Sequence, residues 1–224
     1  MDGQELAQLL IATELEQQTG ELDLGDLGLT ELPASLFELQ HLHTLSLGSG
    51  WHDGNGRWLR GGHRLGSNRL LSLARLESLK GLRALNLCQL PEPDLVGIGQ
   101  VTQLRRLDCR NTGLRDLQPL QGLVALQVLL LGTGGRAGYQ SLEERPVVEL
   151  SPLSALSTLR LLTLRGLRMA GLEPLAGMLK LRALDLAESS ASCIKPLSSL
   201  LELQSLCCSC TRVSDLAPLS PLIM

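Results

Sequence analysis

The sequence predicts an α/β solenoid, with short parallel strands on its concave side and short helical or 3₁₀ segments on its convex side. Leu-x-Leu pairs recur along the chain, most often 22 residues apart. Aromatic residues make up only 2% of the 224 residues, while leucine supplies most of the apolar content. A core of leucine with few rings suits many short layers of equal size better than one compact globule.

The Leu-x-Leu pairs define eight units. They start at Leu22, Leu45, Leu85, Leu107, Leu129, Leu162, Leu184 and Leu206. The intervals are 23, 40, 22, 22, 33, 22 and 22 residues, so the two long ones are one period plus 18 and one period plus 11. We therefore predict a repeat array over residues 21–224, with insertions at about 48–70 and 132–150.

Each unit is predicted to run from a strand through a turn to a helical return. Leucines or their substitutes fall at offsets 0, 2, 7, 10, 13 and 16 from the first leucine, and the first two share one face of a strand. Proline recurs at offset 12, as Pro119, Pro174, Pro196 and Pro218. Its preset φ suits the first turn of a short helix, and Asp116 and Asp215 precede it where a carboxylate accepts backbone N–H groups.

Two segments, TGLRDLQPL (112–120) and TRVSDLAPL (211–219), resemble the signature of the 22-residue, internalin-like leucine-rich repeats. The resemblance covers residues 21–222 and implies a horseshoe whose concave side is a parallel sheet. The first unit, ELDLGDLGLTELPASLFELQHLHTLSLG, is also similar to repeats of bacterial Roco and NLR-like multidomain proteins.

The chain departs from this family at offset 5, where the family often places asparagine. That position holds Leu27, Gly50, Leu90, Thr112, Gly134, Leu167, Ser189 and Thr211. We therefore expect a less regular turn along that edge.

The two ends of the array are expected to differ. Residues 1–20 are predicted to form an amphipathic capping helix that begins at Asp2, ends at Gly20 and covers the first repeat with Leu6, Leu9, Leu10, Ile11 and Leu15. No polar cap follows Leu222, although a solenoid needs one for solubility. Either the chain is cut from a longer protein or an oligomer partner covers this edge, and we favour the first.

Composition narrows the function. The net charge of −3 and the pI near 5.8 do not indicate the positive charge with which a protein binds nucleic acid or an anionic membrane. The N-terminal segment lacks a secretory signal. We therefore expect a cytoplasmic chain. With three lysines and none in a phosphate loop, and with no hydrolase or metalloprotease motif, we predict no enzymatic activity and no cofactor.

Cysteine and histidine clusters raise the question of a metal. The stretch LCCSCTRVSDLAPL holds Cys207 and Cys210 as a lone C-x-x-C, and their repeat positions favour thiol filling over metal binding. His41, His43, His52 and His63 lie within 23 residues. They are read either as a metal or pH-sensitive cluster or as surface residues, and the second interpretation is preferred, so no metal is predicted.

Two surfaces are candidate partner-binding sites. The first insertion carries Trp51, Trp58, Arg57, Arg60 and Arg64, and the second carries Tyr139. Tryptophan and arginine dominate interface hot spots, and loops on rigid scaffolds often carry function. The alternatives are that the tryptophans cover the core and that the second insertion is a solvated loop.

The second surface is the concave face, where Asp108 and Asp185 occupy strand positions flanked by Arg106, Arg110 and Arg165. Such a face suits a protein surface or a peptide with acidic groups, and its alternative is ordinary solvent exposure. Together these features predict a protein–protein interaction module, the sensor or scaffold segment of a longer intracellular signalling protein. Its partner would be a protein, a peptide or a downstream domain of the same polypeptide.

Two other functions stay open at this point. One is a regulatory subunit of an enzyme such as a phosphatase, as some intracellular members of the 22-residue class are. The other, ranked last, is direct binding of nucleic acid or metal through the arginines of the first insertion or through Cys207 and Cys210.

Overall fold

The computed structural model describes residues 1–52, 58–59, 65–133 and 142–222, and residues 51–52, 58–59 and 221–222 by their backbone alone. The helix is α1 (Gly3–Gln17). The strands are β1 (Glu21–Asp23), β2 (Thr44–Ser46), β3 (Trp51–His52), β4 (Trp58–Leu59), β5 (Ala84–Asn86), β6 (Arg106–Asp108), β7 (Val128–Gly132), β8 (Val147–Val148), β9 (Leu161–Arg165), β10 (Arg168–Met169), β11 (Ala183–Asp185) and β12 (Ser205–Cys207).

Eight of these strands form one parallel sheet in the order β1-β2-β5-β6-β7-β9-β11-β12. The first leucines of neighbouring units pair directly, as Leu85 does with Leu107 and Leu107 with Leu129. Every predicted unit therefore supplies one strand, in the predicted register. The α/β solenoid with a parallel sheet is confirmed.

Short 3₁₀ segments return the chain on the side opposite the sheet. They span Ala34–Glu38, Leu76–Ser78, Ile98–Gln100, Gln118–Leu120, Leu142–Glu144, Ser151–Ala155, Glu173–Leu175, Lys195–Ser199 and Ala217–Leu222. Pro119, Pro174 and Pro196 are each the second residue of their segment, within its first turn. Asp116 and Asp215 each accept a backbone N–H at 2.9 Å, from Gln118 and Ala217.

The core is a ladder of leucines between the sheet and the returns. Leu107, Leu129 and Leu162 are fully buried from the strands, and Leu120 and Leu153 are fully buried from the 3₁₀ segments. Each buried leucine side chain contributes about 2 kcal/mol relative to an exposed one. Because each leucine packs against its counterparts in the units before and after it, the layers stabilise one another.

The turn after each strand is more regular than the sequence suggests. The residue at offset 4 has a positive φ in six units, namely Asp26, Gln89, Asn111, Gly166, Glu188 and Cys210. At offset 5 the hydroxyls replace asparagine: Thr112 is buried and donates to the Cys109 carbonyl at 2.8 Å, and Thr211 donates to that of Cys208 at 2.6 Å.

One asparagine, Asn68, nevertheless occupies offset 5, although the repeat numbering did not place it there. Asn68 is buried, accepts the Leu29 N–H at 2.8 Å and donates to the carbonyls of Leu24 and Leu47, both at 2.8 Å. It lies 23 residues after Leu45, which is offset 5 once the 18 inserted residues are subtracted. The insertion thus lies ahead of offset 5, and Asn68 joins the first two units.

We expect Asn68→Ala to lower the free energy of unfolding by about 2 kcal/mol or more, because it leaves buried backbone groups of two units without partners. Chemical denaturation followed by far-ultraviolet circular dichroism measures this loss. The exposed Gln121→Ala is the control, with an expected change below about 0.5 kcal/mol. Equal midpoints for the two variants would contradict the assigned role of Asn68.

The first insertion contains a short antiparallel pair, in which β3 pairs with β4. After the insertion, Gly28 donates to the Gly66 carbonyl at 2.7 Å and Arg69 donates to that of Leu29 at 2.7 Å. The second insertion ends in β8, which pairs in parallel with β10. Both insertions therefore rejoin the array through backbone hydrogen bonds.

Helix α1 lies against the first repeat. Asp2 caps it by accepting the Glu5 N–H at 2.8 Å, as predicted, but the helix ends at Gln17 because Gln18 adopts the left-handed conformation with φ 51°. Ala7 and Ile11 are buried in the leucine core, whereas Leu9 and Leu15 are exposed, contrary to the predicted apolar face. No described helix is both long enough and apolar enough to cross a membrane.

A buried carboxylate joins this helix to the strands. Glu14 accepts the Gly20 N–H at 2.7 Å, the Thr19 hydroxyl and the His41 ring at 2.8 Å. Burial by itself would raise the pKa of Glu14, but the hydrogen bonds from Thr19, Gly20 and His41 outweigh it and lower that pKa below its ordinary value of 4.5. His41 is thus a partner of Glu14 and more than a surface residue.

We expect Glu14→Gln to lower the free energy of unfolding by about 1 kcal/mol at neutral pH, because charged hydrogen-bond acceptors contribute more than neutral ones. A lowered pKa in the folded state means that the stabilisation is present above about pH 4.5 and is lost as the pH falls further. The difference between wild type and variant should therefore shrink below this pH in denaturation curves. The exposed Glu16→Gln should show no such convergence.

Candidate functional site

The concave side of the sheet carries three rows of side chains across β5, β6, β7, β9 and β11, which we name the concave ledge. The first row is Ala84, Arg106, Val128, Leu161 and Ala183. The second row is Asn86, Asp108, Leu130, Thr163 and Asp185. The third row lies two residues further on, at Cys88, Arg110, Gly132, Arg165 and Ala187.

The second row has a structural role that the sequence did not reveal. Asp108, Asp185 and Asn86 each accept, through Oδ1, the backbone N–H two residues ahead, at 3.1, 2.9 and 2.9 Å. Each side chain thereby caps the end of its own strand. Asn86 and Asp108 are buried, with 4% and 6% exposure, so the middle of this face is less exposed than its repeat position predicts.

Asp108 also holds Arg110 in a two-pronged ion pair. The guanidinium donates from Nη2 to Oδ2 at 2.6 Å and from Nε to Oδ1 at 2.9 Å. Partial burial disfavours the guanidinium charge, but the hydrogen bonds and charge of Asp108 outweigh it and raise the pKa of Arg110. Arg110 is therefore a charged group that the fold already neutralises.

Arg165 is neutralised in a similar way by the neighbouring unit. Its Nη2 donates to Glu188 at 2.5 Å, and its Nη1 lies 4.0 Å from an Asp185 oxygen. Gly132 lies between Arg110 and Arg165 on the intervening strand. A side chain at Gly132 would collide with the Arg165 carbonyl, since an added Cβ would lie 2.0 Å from that oxygen.

Arg106 differs from the other two arginines. It is half-buried in the first row and makes no ion pair with any described residue. Its neighbours in that row are Ala84 and Val128, followed by Leu161, all half-buried. The first row thus offers apolar contact area beside one cation, a combination that suits a protein segment.

The candidate partner-binding residues of the two insertions have side chains that the structure does not describe. Arg57, Arg60, Arg64 and Tyr139 lie outside the described residues, as do the side chains of Trp51 and Trp58. The backbones of the two tryptophans lie on paired strands, where Trp58 is opposite His52. Their role in partner binding stays a prediction.

The cysteines fill repeat positions. Burial raises the pKa of the Cys88 thiol on the concave ledge to about 11, and it raises that of the Cys109 thiol in the leucine core well above its usual range, so both thiols are inert. Cys210 occupies the left-handed turn position of its unit, and Cys207 ends β12. The described residues contain no group of three or more potential metal ligands among histidine, cysteine, aspartate and glutamate.

Solved structures with the same arrangement of strands include internalin C2 from Listeria monocytogenes, which is 25% identical and superposes with a TM-score of 0.65 over 91% of this chain and 76% of that one. The chain has the leucine-rich repeat solenoid fold and is similar to the internalins. A second internalin from Listeria monocytogenes, InlF, shares this leucine-rich repeat fold at 18% identity and a TM-score of 0.56, covering 97% and 72% of the two chains.

The leucine-rich repeat ectodomain of the Arabidopsis thaliana receptor kinase GASSHO1/SCHENGEN3, solved in complex with CASPARIAN STRIP INTEGRITY FACTOR 2, is also similar. It is 20% identical, has a TM-score of 0.56, and is matched over 89% of this chain and 25% of its own. No protein-family model matches the sequence, and a search of curated proteins finds no match. The similarity of the first repeat to Roco and NLR-like repeats stays a prediction.

Sequence reasoning found Arg106, Arg110 and Arg165 but missed the half-buried apolar residues beside Arg106. The signal was present, because Val128 and Leu161 hold the position one residue before the first leucine of their units.

We expect Arg110→Ala to lower the free energy of unfolding by about 2 kcal/mol, because it leaves the Asp108 carboxylate buried without its cation. The loss should be smaller in the Asp108→Asn/Arg110→Ala double variant than the sum of the two single losses. Denaturation of all four proteins gives this coupling. Arg106→Ala, at the start of β6 in the same unit, is the matched control, and additive losses would show that the two charges do not cooperate.

Proposed function

We propose that this chain is the sensor or scaffold segment of a cytoplasmic signalling protein and binds a protein partner on the concave ledge. The observation that carries the proposal is the first row of that ledge. There Ala84, Val128, Leu161 and Ala183 present half-buried apolar surface on adjacent parallel strands, with Arg106 as a cation that no described carboxylate neutralises.

The charge arrangement supports a protein partner over a bare polyanion. Two of the three arginines are already paired with carboxylates, so the ledge presents apolar area and a balanced set of charges. Phosphate-rich ligands are bound through unpaired arginines and lysines. A segment with apolar side chains and one acidic group beside Arg106 fits this ledge better.

The thiols support the cytoplasmic part of the proposal. All six cysteines are free, and Cys193, Cys207 and Cys210 are exposed. Exposed free thiols are compatible with a reducing compartment, whereas oxidising compartments convert them to disulfides. Localisation of the tagged protein in its own cells would test this part directly.

A photo-crosslinking amino acid placed at Val128 should capture the partner protein, because this position lies in the middle of the first row. The same amino acid at the exposed Leu179, in the segment after Glu173–Leu175, is the matched control and should capture nothing. Mass spectrometry of the crosslinked species identifies the partner. Capture at both positions alike, or at neither, would contradict binding on the ledge.

The same experiment in the Trp51→Ala/Trp58→Ala background separates the two predicted surfaces. Capture at Val128 that is lost in this background would show that the first insertion contributes to binding. Recovery of an enzyme's catalytic subunit as the partner would favour the regulatory-subunit function over the sensor or scaffold.

A further inference from the structure

A cavity of about 550 Å³ opens at the edge of the sheet where the strands end, beside the third row of the concave ledge. Its walls come from the segments that follow β5, β6, β7 and β9 and from the end of the second insertion. They include Leu114, Thr133, Pro146 and Leu167. We name it the arginine cavity, because three arginines and one carboxylate, Glu92, also line it.

Two of these arginines are held in place by backbone carbonyls. Arg145 donates from Nη1 to the Gly166 carbonyl at 2.6 Å. Arg168 donates from Nη1 to the carbonyls of Glu143 at 2.7 Å and of Arg145 at 3.1 Å. These carbonyls orient both side chains, and of the two Arg168 makes no ion pair with any described residue.

The arginines of the cavity are not balanced by the carboxylates around it. Arg115 is exposed and makes no hydrogen bond or ion pair with any described residue. Glu143 is near Arg168 in the structure, but its carboxylate is paired with Arg212 at 2.6 Å. Among the described residues that line the cavity, Arg115 and Arg168 therefore have no carboxylate partner, and Glu92 is the one carboxylate.

A smaller, mostly apolar void of about 70 Å³ lies next to this cavity. The two spaces share walls at Leu114, Val148 and Leu167. Leu117 and Leu131 line the inner end of the void. A ligand that fills both spaces needs a small apolar end for the inner void and an anionic group for the arginine rim.

We propose that the arginine cavity binds a segment of a partner protein in which an aliphatic side chain stands next to a carboxylate. The aliphatic side chain enters the inner void, and the carboxylate pairs with Arg115 and Arg168. This inference rests on the proposed function, because it names a second anchor for the same kind of partner. A phosphate group fits less well, since it would place a dianion against apolar walls and near Glu92.

The test is a selection of random peptides displayed on phage against the whole protein, followed by fluorescence titration of the enriched peptides. We expect enriched sequences to contain aspartate or glutamate beside valine, leucine or isoleucine. Replacing the acid by its amide, or the aliphatic residue by glycine, should weaken binding at least about tenfold. Arg115→Glu should weaken it by at least the same factor.

Arg105→Glu is the matched control, because Arg105 is also exposed and is not among the lining residues of the cavity. Thermal unfolding of both variants checks that each is folded. Equal affinities for Arg115→Glu and Arg105→Glu would overturn the proposal. Enriched peptides without an acid would also overturn it.

A free organic acid could present the same chemistry, so 4-methylpentanoate and its neutral amide are titrated in parallel. Millimolar or weaker binding of the acid, and none of the amide, is expected if a peptide is the ligand. An acid that binds as tightly as the enriched peptides would overturn the peptide as ligand.

The two proposals fail separately. Peptides whose binding survives Arg115→Glu but is lost in Arg106→Glu would overturn the arginine cavity and leave the interaction module standing. If no peptide is enriched but Val128 still captures a partner, the arginine cavity is again overturned and the interaction module still stands. If no peptide is enriched and Val128 captures nothing, both proposals fail.

Discussion

The structure depends on the register of the leucine ladder. The first leucines of all eight units pair strand to strand, from Leu22 with Leu45 to Leu184 with Leu206. Because side chains alternate along a strand, this register sends two leucines of each unit into the core and three positions onto the concave side. A slip by one residue in any unit would expose its leucines and bury its charged residues. The concave ledge is therefore continuous because the core is continuous.

Polar residues act mainly at the ends of the layers, where the strand backbone loses its sheet partners. Asp108, Asp185 and Asn86 cap strand ends, Asp116 and Asp215 cap 3₁₀ segments, and Asn68 joins two units across an insertion. In a solenoid every layer has the same kind of strand end and turn, so the same capping hydrogen bonds recur from layer to layer. Residues that look like a binding surface in the sequence are, in part, the hydrogen-bonding structure of the turns.

This dual use of the charged residues shapes how the chain meets a partner. Arg110 and Arg165 are held by carboxylates of the same face, so a partner must compete with those ion pairs or leave them intact. Arg106 on the ledge, and Arg115 at the sheet edge, are different, because neither has an ion-pair partner in the described part of the chain. Both belong to the unit that starts at Leu107, and apolar side chains lie near each of them. Recognition through such sites combines apolar contact with a limited number of charges.

The sequence alone determined the solenoid, its eight strands and their register, because a leucine period of 22 residues is a local pattern that each unit repeats. It also determined the positions of Pro119 and Asp116 in the turns, since these choices depend on neighbouring backbone. It did not show that Asn68 completes the turn of the second unit, because the insertion hides the offset. Only the tertiary structure decided that Asp108 neutralises Arg110 and that Arg115, Arg145 and Arg168 share one cavity. The first relation depends on where two side chains point, and the second brings together residues of separate segments. The leucine periodicity encodes neither.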